Sequence, residues 1–210
     1  MLLCIYLIGQ RRGITIFPPR LETTLTEQQA ISRAKANDPK AQQWIYNRFA
    51  PQMLGVCRRY VKSTEDAEDV MVEAFFKVLS KLKQFSGNGS FEGWIRRVMV
   101  NESLMFLRKN HALKEATDLE NIDLPETRIS ALEELKAQDI LRLLDDLPIG
   151  YRTVFNLYVI EGYKHREIAE ELDISINTSK SQLIYAKKRM QELLRKQGEE
   201  YERSEKVNKR

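Results

Sequence analysis

The chain has 210 residues, 30% of them charged, with nine Gly, six Pro and two Cys, which excludes a turn-rich β protein and a disulfide scaffold. Its net charge of +4 is unevenly placed: residues 1–24 carry +2, 25–110 carry +5, 111–147 carry −6 and 148–210 carry +3. Two basic segments parted by an acidic one predict two surfaces for a polyanion, joined by a segment that avoids it.

At the start, MLLCIYLI is an eight-residue apolar run ahead of Arg11 and Arg12. A membrane span needs about 20 residues, and a signal peptide puts its positive charges first. Residues 1–24 therefore read as an extension without stable membrane insertion.

Residues 26–36 and 39–62 predict two helices, broken at Asn37-Asp38-Pro39. The second carries Trp44, Ile45, Phe49, Met53, Leu54, Val56 and Tyr60. Over 64–83, Val70, Met71, Ala74, Phe75, Val78, Leu79 and Leu82 form the apolar face of a third helix, with Ser63 as cap and Asp66 three residues on. Asp66, Asp69 and Glu73 recur at i, i+3, i+7 on its opposite side. Acids early in a helix complement its dipole, but Phe76 at the edge of the stripe points further, to a protein interface.

Ser86, Gly87, Asn88, Gly89 and Ser90 form a loop between Phe85 and Phe91. Such glycines next to aromatics offer a place for an unstacked base; Trp94 is expected to be buried under the following helix start, whereas Phe85 and Phe91 suit either role. The helix 91–109 has two apolar flanks, Phe91, Trp94, Ile95, Val98, Met105 and Phe106 on one and Val100, Leu104 and Leu107 on the other. Between them runs a stripe of Arg97, Asn101 and Arg108.

Residues 111–130 lose the periodicity, turn acidic and contain Pro125, as a flexible linker does. Helical pattern resumes at Ala131, with Leu132, Leu135, Ile140, Leu141 and Leu144, stops at Asp146-Leu147-Pro148, and continues through Tyr151, Val154, Phe155, Tyr158 and Val159. Residues 164–172 and 175–195 are two further helices, separated by Asp173-Ile174-Ser175. Ile168, Ala169 and Leu172, a short turn and Ser175 as cap make a helix-turn-helix. The stretch SINTSKSQLIYAKKRM holds Lys180, Lys187, Lys188 and Arg189 and no acid. Leu183, Ala186, Met190 and Ser179 share one side; Thr178, Ser181, Tyr185 and Lys188 share the other, flanked by Asn177, Gln182 and Arg189. Such a helix suits a major groove, with amides and lysines on base edges and hydroxyls on phosphates. The tail 197–210 is charged, lacks an apolar face and is expected to fray.

The prediction is an all-α chain: a helical domain over 25–110, a flexible acidic linker over 111–130, and a second domain over 131–196 that contains the helix-turn-helix. Cys4, Cys57, His111 and His165 have no metal-ligand spacing. No His, Cys or Gly-rich phosphate loop converges on Glu65, Asp66, Glu68 and Asp69, so no catalytic residue, metal or cofactor is predicted. A reduced, cytoplasmic protein follows.

In their order, STEDAEDVMVEAFFKVLSKLKQF, FEGWIRRVMVNESLMFLRK, an acidic linker and LDDLPIGYRTVFNLYVIEGYKHREIAEELDISINTSKSQLIYAKKRMQELL resemble the extracytoplasmic-function (ECF) branch of the sigma-70 family of bacterial RNA polymerase sigma factors, over roughly residues 25–196. The resemblance implies that Asp66, Asp69, Glu73 and Phe76 dock on core RNA polymerase. It implies that the loop 86–91 receives a flipped base of the minus-ten promoter element, with Arg97 and Asn101 on DNA beside it. Thr178, Lys180, Ser181, Gln182 and Tyr185 fall in the helix that reads the minus-thirty-five element. Core polymerase, promoter DNA and an anti-sigma factor are the implied partners. Three positions depart from the common pattern: Asp173 stands where Gly is frequent, Ser179 where Val is, and Gln182 where Arg is. The competing reading is a stand-alone helix-turn-helix regulator with an N-terminal sensing or dimerisation domain. It leaves the acidic stripe with Phe76, and the stripe of Arg97 and Asn101, without a use.

Overall fold

The computed structural model describes the backbone of residues 25–110 and 143–208, and side chains as far as residue 196. The described residues are helical and form two compact units. The predicted linker, Leu132, Leu135, Ile140, Leu141 and the extension 1–24 lie outside them.

The first unit contains α1 (Glu27–Lys35), α2 (Pro39–Tyr60), α3 (Thr64–Ser80), a 3₁₀ turn (Leu82–Gln84) and α4 (Phe91–Lys109). Each start has a local cause. Thr26 and Gln29 form a reciprocal capping box on α1; Asp38 accepts from the Lys40 amide, with Pro39 at the first position of α2; Ser63 Oγ accepts from the Asp66 amide at 3.2 Å. Asn37, at φ 63°, makes the left-handed break between α1 and α2. α3 ends at Ser80, earlier than the predicted 83, because the chain tightens into the 3₁₀ turn that buries Leu82.

Interlocking aromatic and sulfur contacts form this core. Tyr46 of α2 meets Phe75 of α3 edge-on at 4.9 Å, Phe49 meets Phe91 of α4 at 5.6 Å, and the Cys57 thiol lies 4.0 Å from the Met99 sulfur. Ile45, Met53, Tyr60, Val78 and Ile95 are also almost fully enclosed. At the edge of that core Lys77 Nζ reaches Glu102 Oε2 at 2.5 Å and ties α3 to α4. Burial pushes the Cys57 thiol up to about 11, so it stays protonated at neutral pH.

In the second unit, helical residues 143–145 lead into α5 (Ile149–Phe155), a π turn (Asn156–Ile160), α6 (His165–Leu172) and α7 (Ile176–Asn208). Leu143, Leu144, Val154, Phe155, Leu157, Ile168, Ala186 and Met190 make its core. Arg152, 1% exposed, reaches out of this core to Asp145 at 3.1 Å.

Two expectations change here. Tyr158 and Val159, read as core markers, are 39% and 47% exposed: the wider π turn shifts the helical phase and rotates them outward. The tail does not break the helix, whose backbone continues to Asn208.

Candidate nucleic-acid and partner interfaces

α3 presents its two faces unequally. Val70, Met71, Ala74, Phe75 and Val78 are buried, whereas Asp66, Asp69, Glu73 and Phe76 are all exposed on one side. Phe76, at 59%, is the most exposed large apolar side chain among the described residues. Half-buried Val72 and Leu79 continue the apolar strip beside it. With the ring 59% exposed, it forgoes about 1–2 kcal/mol of burial, which a covering surface would recover.

The loop between the 3₁₀ turn and α4 is built for backbone shape. Ser86 through Ser90 are all exposed; Gly87 and Gly89 take φ of 83° and 95°, a region that a side-chain-bearing residue rarely enters. Phe85, Phe91 and Trp94 cluster beneath it, with centroids 5.1, 5.5 and 6.0 Å apart. Of the two roles open to Phe91, the buried one holds. It is the first residue of α4, is 2% exposed, and packs on Phe49, so its ring is part of the core and not a surface for a base. Phe85 is likewise buried. Trp94, expected to be covered, is the half-exposed member of the cluster.

On α4, Arg97, Asn101 and Arg108 stand at the surface, and Val100, Leu104 and Leu107 bury one flank as predicted. The other flank is only partly apolar core. Met105 is 51% exposed and joins Trp94 on the Arg97 and Asn101 side, since 94, 97, 101, 105 and 108 follow the i, i+3, i+4 spacing of one helical face. Apolar character alone places both inward; their helical position turns them out.

The two helices of the helix-turn-helix meet at Asp173, held left-handed at φ 55° and ψ 48°, the role read for the position where Gly is frequent. Ser175 Oγ accepts from the Thr178 amide at 2.9 Å and lies 2.8 Å from Thr178 Oγ1, capping α7. Ile168 of α6 and Leu183, Ala186 and Met190 of α7 are buried in the core of this unit. Ser179 is fully buried, and its hydroxyl lies 2.9 Å from His165 Nδ1.

Asn177, Lys180, Lys188 and Arg189 stand exposed on α7, with Ser181 and Tyr185 half-buried among them and Thr178 beside the cap. Ile184, absent from the predicted set, lies half-buried on the same side. Arg189 bonds Glu192 at 3.2 Å, and Tyr185 stacks on Tyr151 of α5 with centroids 5.5 Å apart. Their rings help line a cleft of about 220 Å³ with Pro148, Lys188, Arg189 and Glu192. Burial raises the Tyr151 phenol above its ordinary value, so it remains a neutral donor. Gln182 is the correction in this helix. It is 5% exposed, because four residues before Ala186 and three after Ser179 it stands on the packed face, away from any groove.

Among the described residues no group of His, Cys, Asp and Glu is arranged to hold a metal ion. Among the described residues the two units thus carry exposed basic side chains on α4 and on α7, and an acidic, aromatic face on α3.

Comparison with known proteins matches both units. Residues 45–112 match the family Sigma-70 region 2, and residues 137–190 match Sigma-70, region 4. The chain belongs to the sigma-70 family, in its ECF branch. It is 29% identical over 179 residues to the ECF RNA polymerase sigma-E factor of Haemophilus influenzae, covering 78% of this chain and 92% of that protein. It is 27% identical over 193 residues to the RNA polymerase sigma-H factor of Pseudomonas aeruginosa, covering 80% and 96%. Among solved structures it is similar to the sigma factor RpoE in complex with the anti-sigma factor NepR from Bartonella quintana, at 21% identity and TM-score 0.46, covering 73% of this chain and 96% of that one. The family consists of transcription initiation factors.

Proposed function

We propose that this sigma-family chain binds core RNA polymerase through the acidic face of α3, recognises two promoter elements and helps open one of them, with no covalent chemistry of its own. The observation that carries this reading is the side of α3 that leaves Asp66, Asp69, Glu73 and Phe76 uncovered. A stand-alone regulator gains nothing from that surface, and the paired region 2 and region 4 matches favour the sigma reading over it.

Residues 86–90 accept an unstacked base of the minus-ten element, and the positive φ of Gly87 and Gly89 supports close backbone approach. Arg97, Asn101 and Arg108 hold the adjoining strand, with Trp94 offering a half-exposed ring for stacking. α7 enters the major groove of the minus-thirty-five element with Asn177, Thr178, Lys180, Ser181, Tyr185, Lys188 and Arg189. With Gln182 withdrawn into the packing, Asn177 and Lys180 are the side chains that reach base edges. An anti-sigma factor covers one or both surfaces when the chain is idle. The site of action is the cytoplasm; no described helix is long and apolar enough to cross a membrane.

Pull-down of core polymerase by the full chain tests this. Wild type retains the polymerase and Asp69→Lys loses most of it with an unchanged circular-dichroism spectrum; equal retention by both contradicts the docking assignment.

A further inference from the structure

The loop 86–90 contacts little of its own unit: its five residues are exposed, and a Cβ added at Gly87 or Gly89 meets nothing within 4 Å. Its shape must come from its anchors. The C-terminal anchor is the start of α4, where Ser90 Oγ accepts from the Gly93 amide at 3.2 Å and Phe91 is sunk in the core. The N-terminal anchor is Phe85, and its carbonyl belongs to no helix.

That carbonyl is held from 50 residues away. Lys35, in the last turn of α1, donates from Nζ to the Phe85 oxygen at 2.6 Å, and the same ammonium stands 5.7 Å from the centre of the Phe85 ring. A charge-assisted bond and a cation–π contact thus fall on one residue. The Phe85 ring also packs on Phe91 and Trp94. Phe85 is gripped at ring and backbone immediately before the chain turns out into Ser86 and Gly87. Lys35 lies half-buried with its ammonium committed to this anchor, which makes it ill suited to meet a phosphate.

We infer that Lys35 is a positioning residue for the base-accepting loop: it fixes the exit direction of the chain at Phe85, and so sets where the backbone of 86–90 meets an unstacked base. This rests on the reading of 86–90 as a base-accepting loop. It assigns α1, which carries none of the predicted contact residues, a part in recognition of the melted strand.

The test uses holoenzyme reconstituted from core polymerase and the full chain, with a fluorescent single-stranded minus-ten oligonucleotide and a copy abasic at the flipped position. Lys35→Met keeps an apolar stem against Phe85 and removes the donor. It should lower affinity for the intact oligonucleotide by about tenfold, the loss of one charge-assisted bond's worth of loop order, and leave the abasic affinity unchanged. Lys35→Arg should restore most of the discrimination, and affinity for core polymerase should not move. Gly87→Val, which deforms the loop directly, is the control. Discrimination retained in Lys35→Met but lost in Gly87→Val overturns the role of Lys35 alone; discrimination retained in both overturns the loop reading and this inference with it. A parallel fall in polymerase binding by Lys35→Met assigns the residue to general stability and overturns the inference. Lys35→Leu, which also lacks a donor, replaces it if the Met variant does not fold, with the same outcomes.

Discussion

His165 Nδ1 lies 2.9 Å from the hydroxyl of the fully buried Ser179, joining the first turn of α6 to α7 by a polar bond. Tyr158 of the π turn stacks on the same imidazole at 4.5 Å, so three consecutive elements converge on one ring. The family pattern frequently has Val at this position, and Ser without the histidine would leave a buried hydroxyl with only its own helix to bond. Removal of the hydroxyl by Ser179→Ala should cost about 0.5–1.5 kcal/mol, the net worth of a hydrogen bond. Thermal unfolding of the full chain should show a transition lowered by roughly 4–8 °C per kcal/mol, as for a unit of this size. An unchanged transition would mean that the bond is not formed.

The exposed ring of Phe76 makes a second expectation quantitative. Interface aromatics surrounded by charge are the usual energetic centres of a contact, so Phe76→Ala should weaken polymerase binding by about tenfold or more, corresponding to about 1.4 kcal/mol or above. Because the ring is 59% exposed, thermal stability of the isolated chain should stay within about 0.5 kcal/mol of wild type. Fluorescence titration of labelled core polymerase separates the two effects.

On α7, Lys180 and Lys188 are exposed and available to a polyanion. Lys180→Ala and Lys188→Ala should each reduce affinity for minus-thirty-five duplex in the holoenzyme. The slope of log affinity against log salt should become shallower by about one for each phosphate that is no longer neutralised. A weaker affinity with an unchanged slope would assign that lysine to a base edge instead. Gln182→Arg, which restores the common family residue, should destabilise the second unit and not enhance binding, because a guanidinium at a 5% exposed position lacks room and water.

Cys57 should be inert in the native state. With burial lifting its thiol from 9.0 to about 11, the reactive thiolate is scarce at pH 8, and a thiol reagent should label the native chain far more slowly than the denatured one. The same burial makes stability fall in alkali: the thiol's contribution is fully present below pH 9 and is lost as pH rises from 9 to 11, because the unfolded chain loses its proton first. Fast native labelling at pH 8 would contradict the burial of Cys57.

Much of this architecture was legible locally. Ser63 and Ser175 cap where the sequence places them, and Asp173 takes the left-handed angle expected of a residue in place of Gly, since these are effects between residues two to four apart. Polarity misled at Gln182 and apolarity at Met105 and Trp94: side-chain type stood in for helical position, and position decided. Tyr158 and Val159 escaped because a π turn changes the period on which the reading relies. The bonds from Lys35 to Phe85 and from His165 to Ser179 span 50 and 14 residues, and nothing in the neighbouring sequence announces either.

Run-off transcription with purified core polymerase and this chain, over a library of promoter fragments, tests the sigma-factor role most directly. Transcripts should arise only when the chain is added, from templates sharing two spaced elements, and should disappear with Asp69→Lys. Tight binding of duplex DNA by the chain alone, with no transcript from any template, would contradict that role.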